Sequence, residues 1–189
     1  ISGLAEVKPG DSLDTYVAYT TFCTDISLVK KENKTTVNGF STGKGNLEWL
    51  TNIPEKNMLL VCEQRMIHIL DTNTVPFVEL DQINTGVTNP FGMHVTMNIS
   101  STGSSEPKQV ILTDWQTEPQ MKVLDFRTGE LVYQTDEDDI VGGKELCACD
   151  ATDDGEVLYL ADGRNKRIVV MTKQGKYIKA LALPENINI

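Results

Sequence analysis

The feature that most constrains this chain is a repeated run of short strands. Three apolar segments alternate with polar turns, and the set recurs along the sequence. Met58-Leu59-Leu60-Val61, Val110-Ile111-Leu112-Thr113 and Val157-Leu158-Tyr159-Leu160-Ala161 each open such a set. After a polar gap each is followed by a second run: Met66-Ile67-His68-Ile69-Leu70, Met121-Lys122-Val123-Leu124 and Arg167-Ile168-Val169-Val170-Met171. A turn and a third run complete the set: Phe77-Val78-Glu79-Leu80, Leu131-Val132-Tyr133 and Tyr177-Ile178-Lys179-Ala180-Leu181. Runs of four to seven residues rich in Val, Ile, Leu, Thr and Tyr, bounded by turn residues, read as strands and not as helices. The register repeats as well as the pattern. Gly129 and Gly175 occupy the same turn 46 residues apart, and Asp114 and Asp162 close the same strand 48 residues apart. A more worn copy lies at the N-terminus, in Tyr16-Val17-Ala18-Tyr19, Ile26-Ser27-Leu28-Val29 and Thr36-Val37-Asn38-Gly39-Phe40.

A period of roughly 40–55 residues with three or four strands per unit is the mark of propeller blades, which bury their faces against one another. Each set has a recognisable first strand: Leu47-Glu48-Trp49-Leu50, Asn89-Pro90-Phe91-Gly92-Met93-His94-Val95 and Leu146-Cys147-Ala148-Cys149-Asp150. Small residues suit these strands, which crowd together near an axis. The expected fold is therefore all-β, with about four blades of four-stranded antiparallel sheet in one propeller-type domain over residues 1–189. The blade boundaries fall at 14–45, 46–86, 87–141 and 142–184. Ile1 to Val7 reads as a strand left from a preceding blade.

The last set carries a more specific pattern. It runs Cys149-Asp150, Asp154-Gly155, Tyr159-Leu160-Ala161-Asp162, Asn165-Lys166-Arg167-Ile168 and Gly175-Lys176-Tyr177. It resembles an NHL repeat: an apolar strand, an Asp, a Gly turn, a strand ending Ala-Asp, then Asn-x-Arg-Ile. The stretch from Pro90 to Tyr133 is similar through Pro90-x-Gly92 and Thr113-Asp114. It departs where Pro119-Gln120-Met121-Lys122-Val123 replaces the Asn-x-Arg-Ile step, and it inserts Ser100 to Ser105. NHL propellers typically close with six blades, so the resemblance implies an open arc or a part of a longer propeller. It also implies a partner-selecting module of the kind found in tripartite-motif ubiquitin ligases. The chain has no RING or B-box sequence, and ligase chemistry is not expected of it.

Charge limits the partners. The chain carries 17 basic and 27 acidic residues, a net charge of −10, which opposes general nucleic-acid binding because phosphate contacts need positive surface. The charge is unevenly spread. Asp136 to Glu156 holds nine carboxylates against one lysine, whereas Gly163 to Pro184 holds six basic residues and no acid. That basic blade supplies the candidate partner-binding residues Arg164, Lys166, Arg167, Lys173 and Lys176. Trp115, after Asp114 at a loop start, is the candidate aromatic anchor. A protein partner is expected; RNA is the disfavoured occupant, because the net charge opposes it and Tyr177 is the only aromatic in that basic stretch, whereas stacking surfaces need several. No apolar run approaches the ~20 residues of a membrane helix, so no membrane partner is expected.

Catalysis and metal binding find little support. Cys147 and Cys149 are two apart on a strand and would share a face, yet no second ligand pair accompanies them to make a zinc site. Cys23, Cys62, Cys147 and Cys149 read as reduced, mostly buried thiols in a cytoplasmic protein. The acidic loop lacks the alternating spacing of a calcium loop. The alternative to a scaffold is a six-bladed-propeller enzyme of lactonase or lyase type with an axial metal, for which His94 and Asp150 are the available groups. No cofactor is expected. A third alternative is a secreted propeller with glycans on Asn33 and Asn98, which stand in Asn-x-Thr and Asn-x-Ser sequons.

Overall fold

In a computed structural model the described residues of the chain form sixteen β-strands and no α-helix. The residues described are 3–10, 14–21, 23–88, 90–101, 103–114, 120–135, 140, 142–143, 145–152, 154–184 and 186. The strands form four antiparallel four-stranded sheets, each a meander in chain order. Sheet 1 holds β1 (Gly3–Val7), β2 (Tyr16–Thr20), β3 (Asp25–Lys30) and β4 (Thr36–Ser41). Sheet 2 holds β5 (Leu47–Ile53), β6 (Met58–Glu63), β7 (Met66–Asp71) and β8 (Val78–Asn84). Sheet 3 holds β9 (Pro90–Ile99), β10 (Ser105–Asp114), β11 (Gln120–Asp125) and β12 (Leu131–Gln134). Sheet 4 holds β13 (Leu146–Ala151), β14 (Val157–Asp162), β15 (Arg167–Thr172) and β16 (Tyr177–Ala182). This is an all-β fold of four sheets with the order and strand number of propeller blades.

One strand differs from the sequence expectation. Gly3–Val7 is not the remnant of a preceding blade. It pairs antiparallel with β2, from Gly3 opposite Thr20 to Val7 opposite Tyr16. The first sheet therefore begins at residue 3 and not at 14. The physical reason is that Val7 and Ala18 are both needed to complete one apolar layer, and both are fully buried.

The chain divides into two compact units, residues 1–86 and 87–189, each built of two sheets. In the first unit, Val7, Ala18, Ile26 and Leu28 of sheet 1 pack with Leu47, Leu50, Leu59, Val61 and Leu70 of sheet 2. In the second, Ile111, Met121 and Val123 of sheet 3 pack with Leu146, Leu158, Leu160, Val169 and Met171 of sheet 4. Each fully buried aliphatic side chain contributes about 1.5–3 kcal/mol, so the two apolar layers hold their sheet pairs together. The first strands approach closely. A Cβ on Gly92 in β9 would stand 2.7 Å from Ala148 Cα and 2.8 Å from the Cys149 backbone nitrogen in β13. Only glycine admits that approach of one backbone to another.

The outer strands share another feature. The ladder skips one residue in each: Gly39 in β4, Leu80 in β8, Val132 in β12 and Ile178 in β16. A bulge twists an edge strand and discourages pairing with another chain's backbone.

Three sheets end their second strand in an acid, and each acid serves the linker that leads into its own sheet. Glu63 Oε1 accepts hydrogen bonds from the Gly45 backbone N–H (2.5 Å) and the Thr42 hydroxyl (2.9 Å). Asp114 Oδ2 accepts from the Thr88 N–H at 3.4 Å. Asp162 acts through Asn165, whose side-chain amide donates both to Asp162 Oδ2 (2.8 Å) and to the Gly142 carbonyl (2.6 Å). The Asp114 and Asp162 repetition seen in the sequence thus has a mechanical role.

Candidate functional site

The basic blade is only partly a basic surface. Arg167, at the start of β15, points its Nε at Asp162 Oδ2 from 2.9 Å, and Asp162 is fully buried. Arg164 lies 3.8 Å from Glu145, and Lys173 pairs with Glu156. Lys166 sits exposed in the β14–β15 turn at a left-handed φ of 49°. Lys176 and Lys179 flank and enter β16, are exposed, and have no carboxylate partner among the described residues. Trp115 lies outside the described residues. Of the six residues picked out from sequence, three are therefore paired with acids, and Lys176 stands beside an apolar strand.

That strand was not singled out from sequence. Tyr177, Ile178 and Leu181 of β16 are 43–47% exposed, and Leu131 and Val132 of β12 are 56% and 53% exposed. Tyr133 of β12 crowds Gly175, the turn residue before β16, so closely that no side chain fits there. This contact sets β12 of sheet 3 against the turn that leads into β16 of sheet 4. Gly175, at φ 77°, is the residue that both the turn and the contact require.

A second arrangement lies in the first unit, where sequence reasoning named no site. His68, third residue of β7, is buried to 5% exposure. Its ring lies between two carboxylates: Nε2 is 2.9 Å from Glu63 Oε2, and Nδ1 is 2.5 Å from Glu79 Oε1. Both ring nitrogens are donors only in the imidazolium form, so the two carboxylates are complementary to a charged ring. Gln82 donates to the same Glu79 oxygen at 2.8 Å. Phe40 of β4 packs against the imidazole with ring centres 5.8 Å apart. Burial pushes the Glu63 carboxyl up, but donation from His68, Thr42 and Gly45 outweighs it and holds Glu63 below its ordinary value. Apart from Gly45, these groups line a pocket of about 320 Å³ together with Lys44 and Met66. The signal that could have found it is a departure from the repeat: the matching position of β15 is Val169, a core residue.

The remaining candidates are placed as follows. His94 of β9 and Asp150 of β13 do come together, with Nδ1 2.8 Å from Oδ1. They are two groups, and among the described residues no three His, Cys, Asp or Glu side chains converge as a metal site. Cys147 and Cys149 do not share a face, because the β13–β14 ladder skips Cys147. Cys149 Sγ donates to the Ile111 carbonyl of sheet 3 and Cys147 Sγ to the Ala161 carbonyl of its own sheet. Burial pushes both thiols up, and Cys62 likewise. The four cysteines are free. Cys23 differs: the Thr21 hydroxyl and nearby backbone groups hold it below the ordinary thiol value.

Compared with known proteins, the chain matches no family model and no curated protein. The functional reading therefore rests on its own residues. Asn33 lies in an exposed turn and accepts from the Thr35 N–H (3.1 Å) and hydroxyl (2.7 Å). Asn98 is exposed in β9, opposite Glu106. No helix among the described residues is long and apolar enough to cross a membrane.

Proposed function

We propose that this chain is a non-catalytic interaction module, an NHL-like propeller segment that binds an acidic protein partner through the outer strands of its second unit. The observation that carries the reading is the apolar exposure of β12 and β16, the two outer strands of the second unit. Leu131, Val132, Tyr177, Ile178 and Leu181 stay exposed there beside Lys176 and Lys179. Exposed large apolar side chains that lie together mark interaction surfaces, and Tyr is among the residues that anchor them. The two lysines add complementarity to acid and steer encounter. The bulge in β16 disfavours backbone pairing, so recognition runs through side chains.

The test is a comparison of proteins recovered from source cells by the intact chain and by an Ile178→Asp, Lys179→Glu variant. The expected result is that an acidic partner is lost by about tenfold or more while the unfolding midpoint is kept, surface changes away from a core moving stability by only about 0.5 kcal/mol. Recovery of the same partners at the same yield by both proteins overturns the proposal. A fluorescent single-stranded RNA is the control, and tight binding with steep salt dependence would favour RNA instead.

A further inference from the structure

The pocket around His68 holds more polar side chain than the fold requires. Burying ionised groups is costly, and replacing the whole cluster with hydrophobic residues of similar volume is often as stable or more so. Sheet 4 makes that replacement at the matching place with Val169. A buried, hydrogen-bonded polar cluster that opens into a cavity is the pattern of a binding site.

Its unspent hydrogen-bonding capacity defines the ligand. Glu63 is fully engaged, by His68 on one oxygen and by Thr42 and Gly45 on the other. Glu79 is not. Its Oε1 receives His68 and Gln82, and its Oε2 has no partner among the described residues. Its side chain is 33% exposed, so the carboxylate is not sealed from solvent. Lys44 lines the same pocket from the β4–β5 linker and has no carboxylate within 4.0 Å among the described residues. One pocket thus offers an anionic acceptor and a cationic donor, each unmatched. Phe40 and Met66 add apolar lining to the same pocket. A lone amine would meet Lys44 as a like charge, and a lone carboxylate would meet Glu79. A ligand bearing both an ammonium and a carboxylate answers each. The volume of about 320 Å³ lies at the small end for ligand pockets, which suits a single small molecule and not a peptide.

We propose that the first unit binds a free α-amino acid or a zwitterion of that size. Its ammonium sits on Glu79, its carboxylate on Lys44 and its side chain against Phe40 and Met66. His68 is a positioning residue that fixes the Glu79 carboxylate from the buried side. This binding is independent of the partner surface on the second unit.

The test is a titration of the isotopically labelled full chain with L-leucine, L-lysine and L-glutamate, read by amide chemical shifts. Isobutylamine and isovalerate serve as single-charge probes. The expected result is saturable shifts at Phe40, Lys44, His68 and Gln82 for at least one amino acid, with either single-charge probe weaker by about tenfold or more. Glu79→Gln and Lys44→Ala should each weaken the amino acid by a similar factor. Lys44 is exposed in a linker, so its variant reports even where Glu79→Gln perturbs the fold. No shift at about 10 mM, shifts confined to other residues, or amine binding as tight as the amino acid would each overturn the proposal.

Discussion

Sheets 2 and 4 treat the same two strand positions in opposite ways. In both, an acid ends the second strand and faces the first residue of the third: Glu63 opposite Met66, and Asp162 opposite Arg167. In sheet 4 the acid is fully buried and takes Arg167 and Asn165, while Val169 two residues on fills the core. The polar group there is local and spent on the turn. In sheet 2 the acid's neighbour is Met66, which offers no donor, and the donor comes from His68 instead. That shifts the ionic contact away from the turn and into the groove against Phe40 of sheet 1. The difference teaches that one scaffold position carries a structural pair in one blade and a pocket floor in another.

The largest effect expected from breaking the comparison lies in sheet 4. Asp162→Ala leaves Arg167 and Asn165 without their acceptor, and removing one member of a buried pair costs about 3 kcal/mol or more. Urea unfolding followed in the second unit should show that loss. A change below about 1 kcal/mol would mean that the pair is as dispensable as a surface one.

A smaller, pH-dependent effect belongs to sheet 2. Glu63 is held below its ordinary value in the folded chain, so its ionised form is favoured by folding. That contribution is present above the ordinary carboxylate range and is lost as pH falls through the folded value. Glu63→Gln should therefore cost about 1 kcal/mol near neutral pH, where it removes charged hydrogen bonds. The gap from the parent chain should close on acidification. A gap that stays constant or widens toward low pH would show that Glu63 is not the linked group.

Much of this architecture was legible from the strand pattern, and the site was not. The strands β6, β7, β10, β11, β14 and β15 each carry a short, largely apolar run, and these stand out because their neighbours are polar turns. The outer strands were legible too, as weaker alternating segments. β1 was placed in the wrong sheet because its partner β2 lies beyond the polar stretch from Lys8 to Thr15, and nothing local records that pairing. The pocket was hidden for a related reason. Glu63, His68 and Glu79 belong to three strands, and Phe40 to another sheet, so their meeting depends on register and on packing. His68 read simply as one more residue of an apolar run. Its mismatch with Val169 was visible only once the two strands were aligned through their ladders. The basic blade misled in the other direction, since counting charges does not reveal that Asp162, Glu145 and Glu156 already answer three of them.

The central claim is that His68 is present for a ligand and Val169 for the fold, and a reciprocal exchange tests it most directly. Unfolding free energies of His68→Val and Val169→His should be measured side by side in urea. His68→Val, made in a chain that also carries Glu63→Gln and Glu79→Gln so that no carboxylate is left facing an apolar residue, should cost no more than about 1 kcal/mol relative to that Gln chain, since replacing a whole buried ionic cluster is often neutral. Val169→His should cost about 3 kcal/mol or more, because it buries an unpartnered imidazole in a packed layer. Equal losses for the two variants would contradict the account and make His68 a structural residue.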